Sequence, residues 1–183
     1  MEYIGKRISI KKKENHEWSI VIVSSTEKVK NILLFAWLFA WTVSGVIVFT
    51  QYFTVPDPNT RVAIMVWIGF WAYFEYKIFK AFLWRKYGVE KIKLHEGKLF
   101  YKRDVAGRGK IKVYDAEFIK DLRVLEAKEN SFLENVNNSY WVIGGEKIAF
   151  DYYGKEIKIG IQLEKQDADE LIKVIRKKFS YKN

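Results

Sequence analysis

Two apolar runs, residues 32–49 and 62–74, dominate the hydrophobic pattern of the chain. The first contains no charged residue. A helix rises about 1.5 Å per residue, so roughly 20 apolar residues cross a hydrocarbon core of about 30 Å. Residues 31–52 reach that length. The second run reaches it once its flank EYKIFKAFLWR, residues 75–85, is included, which predicts a helix from about residue 60 to residue 84. Lipid offers no partner to backbone amides, so both segments must be helical. Between them lies QYFTVPDPNT, residues 51–60, with the chain's two prolines, Pro56 and Pro58, where a helix hairpin tolerates them. The pattern predicts a two-helix transmembrane hairpin over residues 25–87 with a short external loop at 51–60.

Outside the hairpin the period changes to two. Residues 1–24 read as a β-hairpin: Ile8 and Ile10 alternate with polar neighbours, and WSIVIV at 18–23 is β-branched and aromatic. The Lys11, Lys12, Lys13 run is a solvated turn between them. Ser24 and Glu27 have the spacing of a capping box ahead of the first long helix. From residue 88 onward, alternating segments are divided by turn signals at 96–97, 104–109, 144–145 and 153–154. About seven strands result, one of them at 140–143, with a loop at 128–139. The chain closes with an amphipathic helix over 164–181, in which Ala168, Leu171, Ile172, Ile175 and Phe179 share one face. Acidic residues open it and Arg176, Lys177 and Lys178 end it, which matches the helix dipole. The expected organisation is an N-terminal β-hairpin (1–24), the membrane hairpin (25–87) and a β-domain with its C-terminal helix (88–183).

Charge adds topology. Residues 1–30 carry seven Lys and Arg side chains, the connector carries none, and Arg85, Lys86, Lys91 and Lys93 follow the second helix. The positive-inside rule then puts both termini in the cytoplasm. Net charge is +10, and residues 85–183 hold 22 basic against 16 acidic side chains. A basic surface tethered beside a bilayer meets anionic lipid before nucleic acid, and no nucleic-acid motif accompanies it. The chain has no cysteine, which fits a reducing compartment.

Strands closed by one C-terminal amphipathic helix are the pleckstrin-homology-like arrangement. The chain resembles a bacterial group of small membrane proteins carrying such a domain after two membrane helices. The resemblance rests on FAWLFAW at 35–41, FLWRKYGVEKI at 82–92, IAFDYYGKEIKIGIQL at 148–163 and DADELI at 167–172. It implies a PH-like antiparallel β-barrel or sandwich and a multi-pass protein of the bacterial inner membrane. It implies no activity.

Catalytic and metal chemistry find little support. The two histidines, His16 and His95, lie far apart without cysteine, and no nucleotide-loop, nucleophile-elbow or zinc-protease motif occurs. The reading is a non-enzymatic, cofactor-free module that binds a protein or peptide partner; the alternative is recognition of anionic headgroups by basic loops. Lys102, Arg103, Arg108 and Lys110, around an expected loop at 104–109, are the candidates for lipid, and solvation beside an anionic bilayer explains them equally well. Glu75 is the other candidate. It lies roughly 21 Å along its helix from Arg61, at about the depth of Trp37, whose indole N–H can donate to it, with Lys30 or Lys77 reaching from the headgroups; a snorkelling interfacial residue explains Glu75 at least as well.

Overall fold

The computed structural model describes residues 1–13, 17–24, 28–126 and 143–180. Among these residues, nine strands form two antiparallel sheets. Strands β1 (Glu2–Ile4), β2 (Ile8–Lys12), β3 (Trp18–Val23), β4 (Gly88–His95), β5 (Lys98–Val105) and β6 (Ile111–Asp115) make a six-stranded meander in that spatial order. A 3-10 turn at Ala116–Phe118 leads to the three-stranded sheet of β7 (Ile119–Val124), β8 (Glu146–Tyr152) and β9 (Lys155–Ile161). The helices are α1 (Lys28–Thr54), α2 (Pro58–Tyr87) and α3 (Lys165–Ser180).

Several sequence expectations change here. The N-terminal segment has three strands, and it is the edge of the large sheet: β3 pairs with β4 from Trp18↔Leu94 to Val23↔Val89. The helical pair is therefore inserted between two neighbouring strands, in the place of a β-turn. Among the described residues no strand pairing joins the two sheets into a closed barrel. The expected strand at 140–143 and the loop at 128–139 fall largely or wholly outside the described residues, as does Glu27 of the expected capping box. Ser24 instead donates its hydroxyl to the Arg85 carbonyl, at 3.0 Å. The connector between the two helices shrinks to residues 55–57, because Asp57 caps α2 through the Thr60 amide and Pro58 takes the first helical turn.

The core lies between the sheets and under α3. Alternation delivers Ile8, Ile10, Ile20, Ile22, Ile92, Leu94 and Leu99 to the inner face of the large sheet, and all are buried. Ile148, Phe150 and Ile159 meet them from the small sheet, and Leu171 and Ile175 from α3. Tyr114 packs edge-on against Phe150, ring centroids 5.3 Å apart.

The two long helices reverse this arrangement. Both are long and apolar enough to cross a membrane, and their apolar residues point outward: Phe39, Phe53, Phe70 and Val62 are each more than 60% exposed. A core helix of a water-soluble fold would bury them. The buried exceptions are Leu34, Leu38 and Gly45 on α1 and Ala81, Trp84 and Arg85 on α2. Gly45 is required there, since a Cβ would sit 2.0 Å from the Trp71 ring.

Candidate functional site

The junction of helices and sheet fixes everything around it. Strand β4 starts at Gly88, directly after the last residue of α2. The Ser24 amide donates to the Gly88 carbonyl at 3.1 Å, and Arg85 and Trp84 are each only 2% exposed. At Gly88 a Cβ would meet the Trp84 carbonyl at 2.4 Å, so helix and strand join without a spacer.

Register then places the basic candidates. Gly88 pairs with Val105, so the β5–β6 turn lies level with the end of α2. That turn is tighter than the loop expected at 104–109. Asp104 and Val105 belong to β5, and Val105 and Arg108 exchange backbone hydrogen bonds of 2.9 and 3.0 Å around Ala106 and Gly107. Both turn residues have positive φ, as a two-residue hairpin turn requires. Asp104 is 2% exposed and takes Lys91 at 2.6 Å and Lys102 at 3.3 Å. The Lys91 hydrogen bond holds its carboxyl below the usual range, against desolvation and with help from Lys102.

The four basic candidates thus divide. Lys102 is held by Asp104 and donates to the Gly107 carbonyl. Arg103 donates to the Tyr101 hydroxyl at 2.8 Å and to Glu146 at 2.7 Å. Arg108 and Lys110 are exposed on the turn and its exit.

Arg103 belongs to a network the sequence did not disclose. Glu90, 1% exposed on β4, accepts from the Tyr101 hydroxyl at 2.6 Å and from the Gly160 and Ile161 amides of β9 at 2.9 and 2.6 Å. Burial, then the neighbouring Glu90, raises the Tyr101 phenol well above its ordinary value. Arg7 reinforces the junction by donating to the Val23, Ile161 and Gln162 carbonyls. The large and small sheets are therefore latched together at Glu90, three residues past the end of α2. In sequence, Glu90 is one acid in an alternating strand; its backbone partners lie 70 and 71 residues on.

Within the pair, the partner shown by Glu75 is Thr42. The Thr42 hydroxyl lies 2.7 Å from Glu75 Oε1 and 2.8 Å from the Leu38 carbonyl, so one proton serves two acceptors. Glu75 Oε2 and Trp41 Nε1 are buried without a hydrogen-bond partner. Trp37 stacks on Trp41, centroids 5.4 Å apart, and Lys77 lies over the Tyr73 ring. Trp71 donates its indole N–H to the Trp41 carbonyl at 3.1 Å. Among the described residues no three His, Asp or Glu side chains gather to hold a metal ion.

No protein-family model, curated protein or solved structure matches the chain. The functional reading rests on this chain's own geometry.

Proposed function

We propose that this protein is a membrane-anchored, non-catalytic binding module whose β-domain is presented to a protein or peptide partner. In this reading α1 and α2 span the bacterial inner membrane and both termini are cytoplasmic. The observation that carries it is that α2 passes directly into β4, the strand paired with β3, while both long helices carry their apolar residues outward. A flexible linker would let the domain tumble; here the Ser24, Arg85 and Gly88 hydrogen bonds hold its faces in a fixed relation to the helices. The PH-like resemblance is consistent with a binding role and adds no activity to it. Reporter fusions at residues 1, 55 and 183 test the topology. Cytoplasmic signals at both ends with a periplasmic signal at 55 are expected; a periplasmic signal at either end overturns it.

A second reading, contact with anionic headgroups, is favoured by the register. Helix α2 has 30 residues and a length of roughly 45 Å, so about 15 Å extends beyond a 30 Å core. The β5–β6 turn, level with Gly88, then lies at headgroup depth. Arg108 and Lys110 contribute about 1 kcal/mol each beside an anionic surface. The absence of cysteine allows a single spin label at Ile111→Cys, 63% exposed beside the turn. In nanodiscs with anionic lipid the label should be shielded from a water-soluble relaxation agent, and Arg108→Ala with Lys110→Ala should restore access. Equal access in neutral and anionic discs removes the lipid reading.

A further inference from the structure

At the end of the β-domain away from the helices lies a cleft of about 1120 Å³ between the large sheet and the end of α3. Its position follows from the same register. Strand β4 leaves α2 at Gly88 and reaches the cleft at Leu94 and His95, roughly 20–23 Å further on at about 3.3 Å per residue. That is beyond headgroup reach, so an occupant arrives from water.

The floor is a row of strand ends with a charge order. Lys12 is paired with Trp18, Trp18 with Leu94, His95 with Lys98, and Lys98 with Asp115. On the β2–β3 side the Lys178 ammonium sits 3.4 Å above the Trp18 ring, with Lys12 5.8 Å from the same ring and Lys177 beside them. None of these three lysines has a carboxylate partner among the described residues. On the β4–β6 side the lining carries Glu96, Asp115 and Glu117 together with His95 and Lys98; Lys98 shares Asp115 at 3.7 Å and His95 lies 3.4 Å from Glu96. Three strand spacings of about 4.8 Å separate Trp18 from Asp115, roughly 14 Å. Leu94 and Phe179 supply apolar surface to the same cleft.

We propose that this cleft binds an extended peptide segment of a water-exposed partner protein, with an acidic residue at one end, an apolar middle and a basic residue about four positions away. The acid meets Lys12 and Lys178 at the Trp18 end, and the base meets Glu96 and Glu117. At about 3.3 Å per residue, four residues span the 14 Å between the two ends. The volume exceeds that of most small-molecule sites, about 300–1,000 Å³, which favours a chain segment. Opposed charges fix direction and reject segments of uniform charge. The inference deepens the binding-module reading by naming the chemistry of the partner.

The test uses the full chain in nanodiscs and three fluorescent octapeptides with the same Leu-rich centre and two charged positions, 2 and 6, four residues apart: Asp and Lys, Asp at both, or Lys at both. Fluorescence anisotropy should give the mixed peptide at least tenfold tighter binding than either uniform one. Lys12→Glu with Lys178→Glu makes both ends of the cleft acidic, so the all-Lys peptide should become the preferred ligand. A gain of that kind cannot come from misfolding. Equal binding of all three peptides to the parent chain, or an unchanged preference in the double variant, overturns the proposal. Repeating the titration in detergent separates this result from the membrane reading: the peptide preference should persist there even if the topology assignment fails.

Discussion

Glu75 and Glu90 lie fifteen positions apart on one continuous stretch of chain, and the fold treats them in opposite ways. Glu90 is 1% exposed and receives three donors, one phenol and two backbone amides. Glu75 receives one shared hydroxyl, and its second carboxyl oxygen is buried without a partner. Burying a polar group is tolerable when its hydrogen bonds are replaced and costly when they are not. The β-domain can replace them because β9 brings free amides to the inner face. A helical pair cannot, because its backbone donors are spent within each helix. Glu90 is thus part of what holds the domain together, whereas Glu75 is accommodated in a seam built from Leu, Gly and Trp.

The strongest test of that contrast is Glu90→Ala. It leaves the Gly160 amide, the Ile161 amide and the Tyr101 hydroxyl buried without an acceptor, each costing about 1–3 kcal/mol, so a loss of at least about 3 kcal/mol is expected. Chemical denaturation of the purified chain, followed by β-sheet circular dichroism, measures it. A loss under 1 kcal/mol would show that the latch does not hold the sheets. The same network predicts an alkaline limit. The Tyr101 phenol titrates higher in the folded chain than its ordinary 10.0, so its contribution is complete below pH 10 and is lost as pH rises toward the folded value.

Next in size is the seam of the helical pair. Gly45→Leu puts side-chain atoms where the Trp71 ring already lies, 2.0 Å from the position of a Cβ. Overpacking of this kind costs about 1–3 kcal/mol. Because Trp71 also donates to the Trp41 carbonyl, the substitution should shift tryptophan fluorescence together with the thermal midpoint in detergent. If the midpoint holds, the helices are not packed through Gly45.

What the sequence disclosed follows from the range of each signal. Apolar run length located both long helices, and period-two alternation around Ile92, Leu94, Leu99 and Tyr101 located the strands, because both signals are local. Leu171, Ile172 and Ile175 marked the buried face of α3 for the same reason. Pairings across the inserted helices were only partly legible: a lone N-terminal hairpin needs a sheet edge, but the third strand, Glu2–Ile4, has too few residues to show a period. The basic candidates suffered from the same limit. Arg103 looked like a loop cation, yet its partner Glu146 is 43 residues away. Trp37 was matched to Glu75 by depth alone; the hydroxyl that meets Glu75 belongs to Thr42, about a turn and a half further along α1.

Asp104 lies where the two regions meet and sharpens the comparison through pH. Its carboxyl is held below 3.8, first by the Lys91 hydrogen bond. A depressed folded value means that the contribution is present above 3.8 and is lost as pH falls through the lower folded value. Thermal unfolding of the full chain between pH 7 and pH 2.5 should therefore lose stability below about pH 4, and Asp104→Asn should flatten that loss while lowering stability at pH 7. A variant as acid-sensitive as the parent would assign the effect to other carboxyls. Glu17 is a concrete one, since the Lys93 hydrogen bond holds it low as well.

The smallest effect is expected at Glu75 itself. Glu75→Gln keeps a carbonyl oxygen that can accept from Thr42 and replaces the unpartnered oxygen with an amide of nearly the same shape. The side chain is half-buried in the seam, so its polar end can relax toward the helix surface. The net change should stay within about 1 kcal/mol, the range of a single interhelical hydrogen bond in lipid. Thr42→Val in the same background separates the hydrogen bond from the acidic group. If Gln is neutral and Val weakens parent and variant alike, the seam needs only an acceptor at position 75. If Gln destabilises by more than 2 kcal/mol while Val changes little, the acidic group has a partner beyond Thr42, and Glu75 would then stand beside Glu90 as a second built site.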